Sequence, residues 1–337
     1  MSETSRTDGF PAARTADATA ATAPAARSGV GRVGEHRVTT CPRNRRIRYR
    51  PETRSDAVSV AVMQNAQEMQ EFDGAQGTVA YRAWPVPRPP QFLVLIAHGY
   101  GEHSGRYAHL ASTLVAAGAA VFAPDHHGHG RSDGDRAVVT DVDAVVADLH
   151  TVAERARADY PDLPLVLIGH SMGGLLATRY AQTHRDELAA LVLSGPLVGK
   201  MEVFSALLEL DEIPDVPIDP SVLSRDPDVG AAYQADPLVY HGPFARATLE
   251  TFGRAVDTVA SSGTLGDQPT LWLHGGGDQL VPYEPTAAAM PSLRGASFQE
   301  KVYDGARHEI FNETNRDEVE EDVLAFLAEA GLPLRNR

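Results

Sequence analysis

Apolar residues in this chain alternate between two patterns. Some form short unbroken runs, and others recur at the spacing of a helix face. Phe92–Ala97 (FLVLIA) is wholly apolar, as expected of a strand buried on both faces. Leu165–Ile168, Leu188–Leu193, Thr270–Leu273 and Phe298–Tyr303 read as further strands, and Ala120–Ala123 as one stopped by Pro124. Between them, Ala108–Ala117, Val142–Tyr160, Met172–Gln182, Pro285–Leu293 and Asp317–Ala330 carry helical spacing, two of them ended by Gly118 and Pro161. Residues 71–84 read as an antiparallel hairpin entering the sheet. Strands that alternate with helices predict an α/β fold: a mostly parallel central sheet with helices on both faces.

Two segments break this rhythm. Residues 1–62 show no sustained period and are rich in Ala, Thr, Arg, Gly and Ser. They carry 11 arginines against 6 acidic residues, whereas the remainder carries 19 basic against 39 acidic. The expectation is a solvated, disordered N-terminal extension, with the domain occupying 63–337 from Met63 onward. The second segment, about 196–263, lies between two strands and reads as irregular apart from the apolar stretch Val203–Leu210 and the Pro-rich IPDVPIDP. It is expected to be an insertion.

Charge and cysteine content narrow the function class. An acidic body argues against a nucleic-acid partner. The single cysteine, Cys41, cannot form an internal disulfide. No secretory signal or membrane-spanning run is recognised, so the expectation is a cytoplasmic protein.

The chemistry sits at strand ends. Leu165–Ile168 runs into Gly169-His170-Ser171-Met172-Gly173 and then a helix, the G-x-S-x-G arrangement that lifts a serine hydroxyl above a sheet. A serine used this way needs a base and an orienting carboxylate, in the chain order Ser, acid, His. Asp278 follows the strand Thr270–Leu273 on the loop HGGGDQLVP, and His308 follows Phe298–Tyr303 on DGARH. The expected catalytic residues are therefore Ser171, Asp278 and His308. The backbone N–H groups of Tyr100, after the strand ending at Ala97, and of Met172 are the expected oxyanion donors. Asp125-His126-His127-Gly128-His129 has the composition of a metal cluster but reads as a structural turn. Gly275–Gly277 lacks the Lys-Ser/Thr ending of a phosphate loop. No metal or cofactor is expected.

Five ordered blocks then bear a resemblance: HGYGEHSGRY (98–107), DHHGHGRSDGDR (125–136), GHSMGG (169–174), HGGGDQLVP (274–282) and DGARHEIFNE (304–313). Together they resemble the monoacylglycerol lipases, especially the bacterial ones, from about Phe72 to the last helix. The resemblance implies an α/β-hydrolase fold with a cap at about 196–263. It implies a Ser171–Asp278–His308 triad, a small lipid ester as substrate and no cofactor, with Glu102 and His103 as a polar support beside the oxyanion loop. An apolar cap also implies peripheral membrane contact. Lysophospholipase, short-chain esterase, prolyl-type aminopeptidase and a non-catalytic hydrolase-fold protein remain alternatives.

Overall fold

A computed structural model of the protein describes residues 68–335. The expectations for residues 1–62 and for a start at Met63 lie outside these described residues. Eight strands form one sheet: β1 (Glu68–Gly74), β2 (Gly77–Ala83), β3 (Phe92–Ala97), β4 (Ala119–Pro124), β5 (Leu165–His170), β6 (Leu188–Ser194), β7 (Thr270–Gly275) and β8 (Phe298–Tyr303). Their spatial order is β1-β2-β4-β3-β5-β6-β7-β8. β1 and β2 form the antiparallel hairpin, and β2 pairs antiparallel with β4. All pairings from β4 across to β8 are parallel. β4 extends through Pro124, one residue past the apolar run Ala120–Ala123. Pro124 is its final residue, opposite Tyr81, where the lack of an N–H ends the strand rather than breaking it.

The unbroken apolar runs are explained by burial on both faces. In β3, Leu93, Leu95 and Ala97 enter one core while Phe92, Val94 and Ile96 enter the other. β5 divides the same way, with Leu165 and Leu167 on one side and Val166 and Ile168 on the other. The helices covering these faces are α1 (Ala108–Ala116), α2 (Val142–Asp159), α3 (Met172–Thr183), α7 (Tyr283–Leu293) and α8 (Arg316–Glu329). α7 begins two residues earlier than the sequence spacing indicates. This leaves Pro285 in the first turn, where its missing N–H breaks no helical bond.

Between β6 and β7 lie α4 (Glu202–Leu208), a short 3₁₀ turn at Pro220–Val222, α5 (Pro227–Ala235) and α6 (Arg246–Ser261). α6 is part of the main body, because Phe252, Ala255, Val256 and Val259 join the same core as the sheet. α4 has no buried residue. Val203 and Leu210 are 52% and 46% exposed, and Val216 beyond them 67%. Among the described residues, no helix is long and apolar enough to cross a membrane.

Strand order changes direction at β3: the connection to β4 leaves on one side and β5 lies on the other. In open α/β sheets the crevice outside the carboxyl ends of such strands is where ligands bind. The loops after β3 and β5 are the ones that carry Tyr100 and Ser171.

Candidate active site

β5 ends at His170 and α3 begins at Met172, so Ser171 alone makes the turn. It sits at φ 55°, ψ −118°, a region that costs a non-glycine residue about 1–3 kcal/mol. The backbone around it is held by hydrogen bonds. Ser171 N donates to Ser194 O at 2.9 Å, and the N–H groups of Gly174, Leu175 and Leu197 converge on the Ser171 carbonyl at 2.9, 3.2 and 3.1 Å. The flanking glycines follow from crowding. A Cβ on Gly169 would lie 2.3 Å from the Gly173 carbonyl oxygen, and one on Gly173 would lie 2.0 Å from that of Ala97.

β7 and β8 deliver the other two expected residues to the same edge of the sheet. His308 Nδ1 and Asp278 Oδ2 are 2.7 Å apart, both side chains buried. Asp278 Oδ1 accepts from Leu280 N and Val281 N, each at 2.9 Å, which fixes the carboxylate. Burial penalises the Asp278 anion, but the charge and hydrogen bond of His308 outweigh it and its pKa is lowered. Burial likewise disfavours a charged His308, and Asp278 more than offsets this, so its pKa is raised. His274 also approaches Asp278 Oδ2, at 3.5 Å. Its Nδ1 accepts from Trp272 Nε1 at 3.1 Å and its Nε2 faces Val281 O at 2.8 Å, the pattern of a neutral ring. Ser171, His308, Tyr100 and Met172 all line one cavity, whose empty space, part of it open to solvent, is about 780 Å³.

The loop after β3 is shaped by Glu102. Its Oε1 accepts from Gly99 N at 2.7 Å and from Tyr107 OH at 2.6 Å, and its Oε2 from Arg106 Nη1 at 2.8 Å. Burial would raise the Glu102 pKa, but Arg106 and the neighbouring groups hold it down to about 2. His103 faces away, donating Nε2–H to Asp236 Oδ2 at 2.8 Å. That bond ties the loop to the end of α5, and a second one runs from Tyr240 N to Gly101 O at 2.7 Å.

Two functional-site residues escaped the sequence reading. Arg106 binds Glu309, the residue after His308, through two bonds of 2.6 and 2.8 Å while also holding Glu102. The Tyr233 ring of α5 lies 5.1 Å from the guanidinium carbon. Both charged residues fall inside the family-like blocks. Their sequence separation of 203 leaves no local signal that they pair. His170, the second residue of the pentapeptide, packs 4.6 Å from the His308 ring. Burial, then the nearness of His308, lowers its pKa to about 4.

The Asp125–His129 run does not converge on a metal. Asp125 turns its carboxylate onto Ser104 N and Arg131 N, both at 2.9 Å. Among the described residues, His150, His184 and Glu187 do place three ligand atoms within 4.8 Å of one another. There, Glu187 is already engaged by Arg157 and Tyr180.

The sheet order, with Ser171 on a strained strand–helix turn outside the switch point, is that of an α/β-hydrolase. Residues 88–315 match the family model described as serine aminopeptidase, S33. A monoacylglycerol lipase of Mycolicibacterium smegmatis is 37% identical over 76% of this chain and 95% of its own length. Human monoglyceride lipase is 35% identical over 73% of this chain and 85% of its own. Among solved structures, the Paleococcus ferrophilus monoacylglycerol lipase superposes with a TM-score of 0.63 at 26% identity, covering 78% of this chain and 99% of that one. Within the α/β-hydrolases, the chain belongs to the monoacylglycerol lipase family, and it is a carboxylic ester hydrolase.

Proposed function

We propose that the protein hydrolyses monoacylglycerols to glycerol and a fatty acid through a covalent acyl-enzyme. The observation that carries this is the cavity over Ser171. Its apolar walls include Val203, Phe204, Leu207, Ile218, Leu223 and Phe252, which suit an acyl chain rather than a peptide. In this reading residues 196–263 are a cap. α6 anchors it in the core, and α4 together with Ile218 and Leu223, which flank the 3₁₀ turn, wall the cavity.

With His308 Nδ1 engaged by Asp278, Nε2 is the nitrogen that takes the Ser171 proton. Ser171 Oγ attacks the ester carbonyl, and the Tyr100 and Met172 N–H groups hold the oxyanion, each worth about 3–4 kcal/mol. Collapse of the tetrahedral species breaks the ester C–O bond, and His308 returns the proton to the departing glycerol oxygen. Water activated by His308 then cleaves the acyl-enzyme, releasing the fatty acid and restoring Ser171. Asp278 keeps the ring oriented and stabilises its charged form.

An aminopeptidase needs a free carboxylate to receive the substrate's α-ammonium group. The two carboxylates at this cavity, Glu102 and Glu309, are both committed to Arg106. This supports an ester with a neutral head group. Contact of the exposed α4 region with a lipid surface belongs to the same reading, because Val203, Leu210 and Val216 present apolar surface on that side.

The test is a comparison of kcat/KM on monoacylglycerols, p-nitrophenyl esters, lysophospholipids and aminoacyl amides. Monoacylglycerols should be preferred, and Ser171→Ala should lose turnover by orders of magnitude along with labelling by a fluorophosphonate. Faster cleavage of lysophospholipids or aminoacyl amides overturns the substrate assignment, and an active Ser171→Ala overturns the mechanism.

A further inference from the structure

Next to the cavity that holds Ser171 lies a second one, open to solvent, with about 520 Å³ of empty space and the exposed Lys200–Asp257 ion pair at its rim. Phe204 and Phe252 line both cavities, so these two rings are the partition between them. Their centroids are 6.2 Å apart.

The two rings are held very differently. Phe252, on α6, is 1% exposed and also meets Tyr100 edge-on with centroids 5.9 Å apart. Phe204 sits on α4, a helix of seven residues with none buried, and is itself half-buried, packed against the core with its ring 5.8 Å from that of Phe244.

A second observation lies on the far wall. Gly253 is in the interior of α6 and lines the second cavity. A mid-helix glycine costs about 1 kcal/mol relative to alanine and normally marks close packing. Here a Cβ would meet nothing within 4 Å. Gly253 is solvent-exposed, so this face of α6 opens the second cavity outward and leaves room for a longer side chain to extend over it.

We propose that the second cavity receives the distal end of long acyl chains and that Phe204 gates the passage into it. This rests on the acyl-ester reading of the Ser171 site and adds a chain-length determinant to it. Short chains are contained in the first cavity, whereas long ones thread past Phe204 towards the Lys200–Asp257 mouth.

The test reads the ratio of kcat/KM for palmitoyl and stearoyl esters to that for octanoyl esters. It is run on both monoacylglycerols and p-nitrophenyl esters, so the chain-length result does not depend on the head group. Gly253→Leu, whose Cβ would meet nothing within 4 Å, should narrow the second cavity and lower the long-to-short ratio about tenfold or more, the scale on which an apolar pocket discriminates chain length. Phe204→Ala should raise the ratio, and Phe204→Trp should lower it. Unchanged ratios in folded Gly253→Leu and Phe204→Ala proteins overturn the second chamber and leave ester hydrolysis intact. Equal responses in p-nitrophenyl esters with no cleavage of monoacylglycerols would keep the chamber and overturn the head-group assignment instead.

Discussion

Arg106 grips Glu309 with both terminal nitrogens, at 2.6 and 2.8 Å, and so clamps the residue beside His308. Because Nη1 also holds Glu102, which in turn fixes Gly99 N, one guanidinium joins the loop after β3 to the loop after β8. The three side chains are at most 10% exposed. Arg106→Met would leave two buried carboxylates with no cation between them, at a cost of about 3–5 kcal/mol. A large fall in the unfolding midpoint is expected. Arg106→Lys should recover only part of it, because an ammonium cannot reproduce the two-pronged contact.

The His308–Asp278 contact fixes the direction of the pH response. The proposed base, His308, can act only when neutral, and its pKa is raised above the ordinary 6.5 by Asp278 in spite of burial. Activity should therefore rise with pH through a midpoint above 6.5, seen in the acid limb of kcat/KM. Asp278→Asn removes the offsetting charge and leaves the burial penalty. Its midpoint should move down, with turnover reduced on the order of 10⁴-fold.

Two glycines should respond oppositely to alanine. At Gly173 the new Cβ would meet the Ala97 carbonyl oxygen at 2.0 Å, so Gly173→Ala should destabilise the fold and displace Ser171. At Gly253 the Cβ meets open space, and Gly253→Ala should stabilise by about 0.5–1 kcal/mol. Paired denaturant titrations check both.

Leu210 and Val216 are exposed and lie outside the walls of the Ser171 cavity. Leu210→Glu with Val216→Glu should weaken binding to phospholipid vesicles while leaving hydrolysis of dissolved p-nitrophenyl butyrate unchanged. Vesicle flotation beside a soluble-ester assay separates the two effects.

The sheet was legible because burial on both faces demands unbroken apolar runs such as Phe92–Ala97. The reversal at β5–α3 was legible because its crowding admits only glycine at 169 and 173. The segment between β6 and β7 was not, although α6 is a long helix there. Gly253 interrupts its pattern, and it buries threonines as well as apolar residues. Thr248 is one of these, its Oγ1 accepting from Val139 N at 3.0 Å. A buried threonine satisfied by a distant backbone reads locally as a polar position. The pairing of Arg106 with Glu309 was hidden for a related reason: its rationale exists only once the sheet brings the two loops together.

The positive φ at Ser171 gives this position an uncommon relation to natural selection. Glycine would relieve the backbone there at once. A lineage selected only for a durable fold would thus be expected to drift to glycine at 171, gaining robustness as it lost the proposed nucleophile. With Ser171 as the proposed nucleophile, keeping serine at that torsion runs against the backbone's own preference, so turnover is the function that would retain it.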